Sequence, residues 1–264
     1  MVSVIPQKKS VPSPNHVSEE EWRARVDLAA CYRLVALEGW SDQCSTHIST
    51  RVPGREDHFL INPYGMLFEE ITASSLLKID LNGRKVEPSD FPANPAGFVI
   101  HSAIHQSKSV NNSVLHTHTV AGVAVSMQKD GLLPISQHSL GILGDVAYHG
   151  YEGGATGRLD ERERIARDLG DKRILFLRNH GLLTVGVTIA EAFMAMYRAE
   201  RACRMQLAFQ HSGAELVPIP MDIQAQYMAR GRTMFWANGE LDPQILNWPS
   251  LLRKLDRTDP SYKE

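Results

Sequence analysis

Cysteine is scarce in this 264-residue chain: Cys31, Cys44 and Cys203 lie far apart and are odd in number. They make neither a disulfide framework nor a Cys-x-x-Cys metal motif, so a reducing cytoplasm is the expected setting. Concentrated charge is also missing. The net charge is −2, and no basic cluster stands beyond Lys8 and Lys9. That argues against nucleic acid as the main partner, because phosphate neutralisation needs dense Lys and Arg. No apolar run approaches the roughly 18 residues of a membrane-crossing helix. The N-terminus, Met1 to Lys9, lacks the apolar core of a signal peptide. The expectation is a cytoplasmic protein without a membrane partner. What the chain does have is apolar mass, 43% of its residues, ample for a sizeable core.

Residues 1–17 carry three prolines among polar residues and read as a mobile arm. Ser18 and Glu21 then form a capping box, and the helix behind it is expected to bury Trp22, Val26, Ala30, Leu34 and Leu37 before stopping at Gly39. Strand-like runs follow at 47–51, 58–62 and 78–81. Pro63-Tyr64-Gly65 makes a turn, and Asn82-Gly83 a hairpin turn. A helix is predicted over 96–106, a strand over 113–120 and a small-residue helix over 121–127. Further along come a helix over 161–169, the last strand within 173–186, and a long helix capped by Thr188 and Glu191 with a stripe of Phe193, Met196, Cys203 and Leu207. Strands alternate with helices and several turns are hairpin-like, which predicts an α/β fold with a mixed sheet. The domain is placed at 18–211. A helical extension over 212–264 carries Trp236 and Trp248, packing on its own or on a neighbouring subunit.

Three histidines in two places carry the chemistry. His116 and His118 sit in the apolar run Ser113 to Val120, where residues i and i+2 share a face of a strand. His180 follows a second apolar run, Arg173 to Asn179, and precedes Gly181, where the backbone is expected to turn sharply. Three neutral imidazoles leave an open coordination position, as catalytic zinc sites do. A His-x-His pair by itself is often a stacked or hydrogen-bonded core feature; the Asn-His-Gly run in a distant segment favours the metal.

These segments resemble the class II aldolase/adducin family over roughly residues 19–211. The markers are Cys31-Tyr32-Arg33-Leu34 before Gly39-Trp40, the block His47 to Gly54, and Phe59 to Gly65. Ile71 to Ser75, His116 to Thr119 and Arg178 to Leu183 continue the series in order. The resemblance implies a three-layer α/β/α sandwich around a mainly antiparallel sheet, and a homotetramer or other homo-oligomer with its active site at subunit borders. Blocks such as Ile71 to Asp80, Gly131 to Ser136 and Val146 to His149 look closer to the adducin-like branch than to the sugar-phosphate aldolases. The resemblance makes His116, His118 and His180 the metal ligands, with the ion chelating two substrate oxygens. Zn²⁺ suits three imidazoles as a redox-silent Lewis acid, and Mn²⁺, Fe²⁺ or Co²⁺ would fit the same donors.

Departures from the aldolases narrow the substrate. The glutamate four residues before the position of His101 is replaced by Gly97, two phosphate-holding serines by Pro95 and Ala96, a phosphate-binding asparagine by His47, and a tyrosine proton donor by His138. An ordinary phosphorylated sugar is therefore not expected. His138, His101 or a water on the metal remain as acid or base, His47 and Tyr64 as substrate contacts, and Arg178 as a pocket wall. The expected function is a metal-dependent lyase, an aldehyde-lyase or carboxy-lyase, that acts on a small hydroxy- or keto-acid or carbonyl compound and stabilises an enolate. The alternative is a non-catalytic, adducin-like oligomerising module that keeps the histidines. The pair His101 and His105, one helical turn apart, has metal-ligand spacing but no glutamate between, and reads as bonding neighbouring carbonyls, with His101 a support to the ligands or a substrate contact. Glu200 reads as a partly buried partner of Arg204 or Arg201.

Overall fold

The computed structural model describes residues 16–107, 111–153, 159–236 and 238–264. The arm expected over 1–17 therefore lies outside the described residues except for 16 and 17. A single helix, α1 (Glu19–Leu37), precedes a hairpin of β1 (His47–Arg51) and β2 (His58–Ile61), followed by β3 (Leu77–Asp80). Next come α2 (Pro95–Ser107), β4 (Ser113–Thr117), α3 (Val120–Ser126), α4 (Gln137–Leu143), β5 (Val146–His149) and α5 (Leu159–Leu169). The hairpin β6 (Ile174–Leu177) and β7 (Gly181–Gly186) leads into α6 (Ile189–Ser212), and α7 (Met221–Met234) and α8 (Trp248–Thr258) complete the chain.

The seven strands form one sheet in the order β3-β2-β1-β4-β7-β6-β5. Every pairing is antiparallel except β5 with β6. Period-two alternation divides the strand side chains between two cores. Ile48, Leu115, Phe176 and Leu182 face α1, α3 and α6 on one side. Val114, Leu175, Leu183 and Val185 meet Ile100 and Ile104 of α2 and Ile165 and Leu169 of α5 on the other. This is the mainly antiparallel α/β/α sandwich.

Local chemistry explains the ends of α1 and corrects its face. The Ser18 hydroxyl accepts from the Glu21 N–H (3.1 Å), and Gly39 takes a left-handed φ of 72°, the helix-ending conformation that favours glycine. Glu21 does not reach back to close a capping box. Its carboxylate pairs with Arg25 (3.0 Å) and Lys78 (2.8 Å), and both cations also meet Glu87. Arg25 is fully buried by this four-charge network, so the inward face rotates toward Leu28, Ala29, Cys31 and Tyr32. The expected stripe is wrong at its ends: Trp22 is only half-buried and Leu37 is 45% exposed.

The extension packs on its own chain. Trp236 Nε1–H donates to the buried carboxylate of Asp145 (2.9 Å), which also meets Arg173 (3.0 Å). Trp248 Nε1–H donates to Asp27 on α1 (3.0 Å), and Trp236, Trp248, Leu255 and Tyr262 belong to the same core as α1 and α6. Where the last strand was expected within 173–186, the chain makes a hairpin of two strands. Its turn is Arg178-Asn179-His180, with the His180 N–H bonded to the Leu177 carbonyl (3.1 Å). The left-handed residue there is Asn179, at φ 55°, and not Gly181. No helix among the described residues is long and apolar enough to cross a membrane.

Candidate metal centre

The central strands β1, β4 and β7 bring the distant histidines to one end of the sheet. In register, His47 of β1 lies opposite His116 of β4, and Thr117 lies opposite Leu182 of β7, just past the His180 turn. The strand ends at Thr117, so His118 lies one residue beyond it, before Thr119 caps α3. The alternation survives the end of the ladder: candidate ligand atoms of His116, His118 and His180 all lie within 4.8 Å of one another. Their ring centroids stand 4.7, 4.8 and 4.9 Å apart.

Hydrogen bonds fix which nitrogens are free. His116 Nδ1–H donates to the Leu182 carbonyl (2.8 Å). His118 Nδ1–H donates to Asp42 Oδ2 (2.9 Å), from the loop after α1. Both rings therefore present Nε2 lone pairs, and these two atoms face each other at 3.0 Å. Two lone pairs at that distance repel unless a cation lies between them. Burial, with help from His47, His180 and His118, holds the His116 imidazole far below the usual range, so a proton there is disfavoured. The His180 imidazole is pushed down to about 4 by burial and by the neighbouring His118 and His149. Tetrahedral zinc with nitrogens at about 2.05 Å separates its donors by about 3.3 Å. The donor set fits a divalent ion: neutral imidazoles, two of them held by outer partners as metal-ligating histidines usually are.

Gly181 matters here for its missing side chain. A Cβ on it would fall well inside contact with the Thr117 carbonyl oxygen and would meet His118 Cδ2 at 3.1 Å and His116 Cε1 at 3.4 Å. Gly181→Ala is expected to cost about 1–3 kcal/mol as overpacking and to weaken ion binding by pushing two ligands. Urea unfolding together with a zinc-competition titration checks this; an unchanged affinity would show that the ligands absorb the push.

Beside the trio lies a second buried array. The His47 ring stands 5.1 Å from that of His116. His47 Nδ1 bonds His101 Nε2 (2.8 Å), His101 Nδ1 bonds Ser49 Oγ (2.6 Å), and Ser49 Oγ bonds His105 Nε2 (2.8 Å). All four residues are buried on the α2 side of the sheet. A Cβ on residue 97 would meet His47 Cγ and Cδ2 at 2.9 Å. The departures at 47 and 97 are thus one packing exchange: the imidazole from β1 takes the space over residue 97, and only glycine admits it. Expectations placed on Pro95 and Ala96 concern side chains outside the described ones.

The remaining candidates are spread out. His138 sits on α4 in a separate cavity with Tyr197, Arg198 and Tyr227, so one chain does not bring it to the trio. Tyr64 is exposed on its turn, and its N–H bonds the Pro92 carbonyl (3.0 Å). Arg178 stacks over Tyr148 (4.2 Å) and donates to the Gln128 carbonyl (2.6 Å), tying the His180 turn to the region after α3. Glu200 pairs with Arg204 (2.8 Å) and also accepts from Thr119 Oγ1 (2.5 Å), which steadies the residue next to His118. A cavity of about 560 Å³ lies at the opposite ends of the same strands, past Arg51, Asn112 and Val187, and is remote from the trio.

Sequence reasoning missed Asp42, Ser49 and His149. His149 Nδ1–H donates to Asp168 (2.7 Å), and the ring shares a small cleft with His180. Only His149 had a local signal, a titratable residue ending an apolar strand. Asp42 is 76 positions from its partner.

Comparison with known proteins agrees with this geometry. Residues 26–207 match the family described as Class II Aldolase and Adducin N-terminal domain. A Pseudomonas aeruginosa protein named as a candidate class 2 aldolase is 52% identical over 252 residues, covering 94% of this chain and 95% of its own. Alpha-adducin of Mus musculus is 40% identical over 244 residues, covering 88% of this chain and 33% of adducin. The L-fuculose 1-phosphate aldolase of Glaciozyma antarctica PI12 is 28% identical, with a TM-score of 0.79 over 93% of each chain. With an antiparallel α/β/α sandwich, three imidazoles gathered at one end of its central strands, and a match spanning most of its length, this chain belongs to the class II aldolase and adducin N-terminal domain family.

Proposed function

We propose that this protein is a metal-dependent carbon–carbon lyase acting on a small, non-phosphorylated hydroxy- or keto-acid or related carbonyl compound. The observation that carries the reading is the trio itself: two Nε2 lone pairs at 3.0 Å, their opposite nitrogens committed to Leu182 and Asp42. Bound by His116, His118 and His180, a divalent ion, Zn²⁺ first among the candidates, supplies Lewis-acid stabilisation of the negative charge left when a bond to carbon breaks. The homo-oligomeric and cytoplasmic setting belongs to the same reading.

The chain's own residues supply proton handling. His47 uses Nδ1 on His101, which leaves Nε2 as the ring nitrogen available to a substrate proton. The His47–His101–Ser49–His105 chain accommodates two opposite senses of donation, so a proton taken up at His47 Nε2 adds one positive charge that the chain holds on His47 or passes toward His105 until the proton is returned. His138, in another cavity, reaches a metal centre only from a neighbouring copy. Loss of CO₂ needs no base to begin, so decarboxylation suits a site where residue 97 has no carboxylate.

The missing carboxylate also favours a second reading, a non-catalytic adducin-like binding and oligomerising module. Incubation of the zinc- or manganese-loaded protein with a panel of hydroxy- and keto-acids in D₂O, followed by proton NMR, separates the two. Exchange or cleavage that disappears in a His47→Ala variant with its metal retained is the expected result. A metal-loaded protein inert toward the whole panel would favour the module.

A further inference from the structure

Arg198 is a half-buried cation. It lies on α6 with Cζ 4.3 Å from the Phe235 ring centroid, and its Nη1 is buried without a hydrogen-bond partner. No carboxylate pairs with it among the described residues. Arg25, which is fully buried, is compensated by Glu21 and Glu87. Burial pulls the Arg198 guanidinium down to about 10, so it stays charged at neutral pH. Arg198 is half-buried, so leaving its inner nitrogen without a partner has a cost that stacking on one ring offsets only in part.

The side chain borders a cavity of about 270 Å³ between α4, α6 and α7. Tyr197, Tyr227 and Phe235 supply its aromatic walls, Arg201 and His138 border it, and no carboxylate lines it. The walls are fastened: Arg201 Nη1–H donates to Tyr197 Oη (3.0 Å), and Gln137 Nε2–H donates to Tyr227 Oη (3.0 Å). The volume holds about nine water-sized groups. A guanidinium fork matches a carboxylate in two parallel hydrogen bonds, and aromatic walls favour a flat apolar body. We propose that α4, α6 and α7 build a second binding site, separate from the histidine trio, for a small carboxylate with a flat apolar body, held by Arg198.

Benzoate is the probe, titrated by calorimetry and saturation-transfer NMR against the full chain. The His116→Ala, His118→Ala background removes binding to any metal, and benzyl alcohol and inorganic phosphate serve as controls. Saturable benzoate binding in that background is expected, with at least tenfold weakening by Arg198→Met and no comparable binding of benzyl alcohol. Phosphate binding as tightly as benzoate would overturn the flat-body assignment. The methionine variant is expected to melt no lower than its parent, since it removes an uncompensated charge. If it does not fold, Arg198→Lys decides: several-fold weaker benzoate binding supports the fork, and unchanged binding overturns it. No benzoate binding, or dissociation of an oligomer on substitution of Arg198, would overturn the proposal, the latter assigning the cavity to a partner copy.

Discussion

A His116→Ala, His118→Ala double variant is expected to emerge from purification without a divalent ion, against about one ion per chain in the parent. The parent folds two Nε2 lone pairs to 3.0 Å and holds them there through Leu182 and Asp42, so an ion meets donors already oriented. Removing both rings leaves His180, whose single nitrogen cannot hold an ion against dilution. Asp42→Asn is the finer test. It keeps all three ligands but replaces a carboxylate acceptor with an amide, which lowers the basicity of His118 and loosens its orientation. Loss of such an outer partner typically costs 10–100-fold in metal affinity. Elemental analysis and zinc-competition titration read both variants. An ion retained at full stoichiometry by the double variant would place the metal elsewhere and remove the basis of the proposed lyase.

Acid should unfold this protein early. Between pH 7.5 and 5.5 the rings of His47, His101 and His105 alone are expected to lower the unfolding free energy of the metal-free chain by about 4 kcal/mol. His47 and His101 are held well below the usual imidazole range, mainly by burial. Burial also lowers His105, to about 3, with Arg51 adding to the effect. In the unfolded chain each ring titrates near 6.5 and takes up a proton below it, while the folded chain keeps the ring neutral. The sign follows from linkage: this stability is present above about pH 6.5 and is lost as pH falls toward the folded values. Each group costs about 1.4 kcal/mol per pH unit in that window, and three of them over one unit give the figure above. Urea unfolding curves at several pH values measure the slope, and His105→Gln should reduce it by about one proton. A flat profile would mean that the folded protein accommodates charged rings there.

The placement of His47 over Gly97 bears on the chemistry more than either residue alone. Read as letters, positions 47 and 97 are two separate departures from the sugar-phosphate aldolases. Folded, they are one exchange, because the imidazole occupies the volume that any side chain at 97 would enter. Restoring a carboxylate at 97 therefore requires shrinking residue 47 as well.

The sequence by itself determined the local elements: the Ser18 and Thr188 caps, the stop at Gly39, the strand at 47–51 and the shared direction of His116 and His118. Short-range rules govern these features, namely capping, left-handed glycine and the alternation that puts i and i+2 on one face. Even there, tertiary contacts overrode propensity where charges were buried: Arg25 and its network turned the α1 face away from Trp22. The tertiary structure alone decided that 173–186 folds back as a hairpin and that Asp42 supports His118. It alone decided that His47, His101, Ser49 and His105 join in one chain, and that His138 stands apart beside Arg198. Each of these depends on contacts between segments far apart in sequence. Such contacts are set by sheet order and register, which no local pattern of residues encodes.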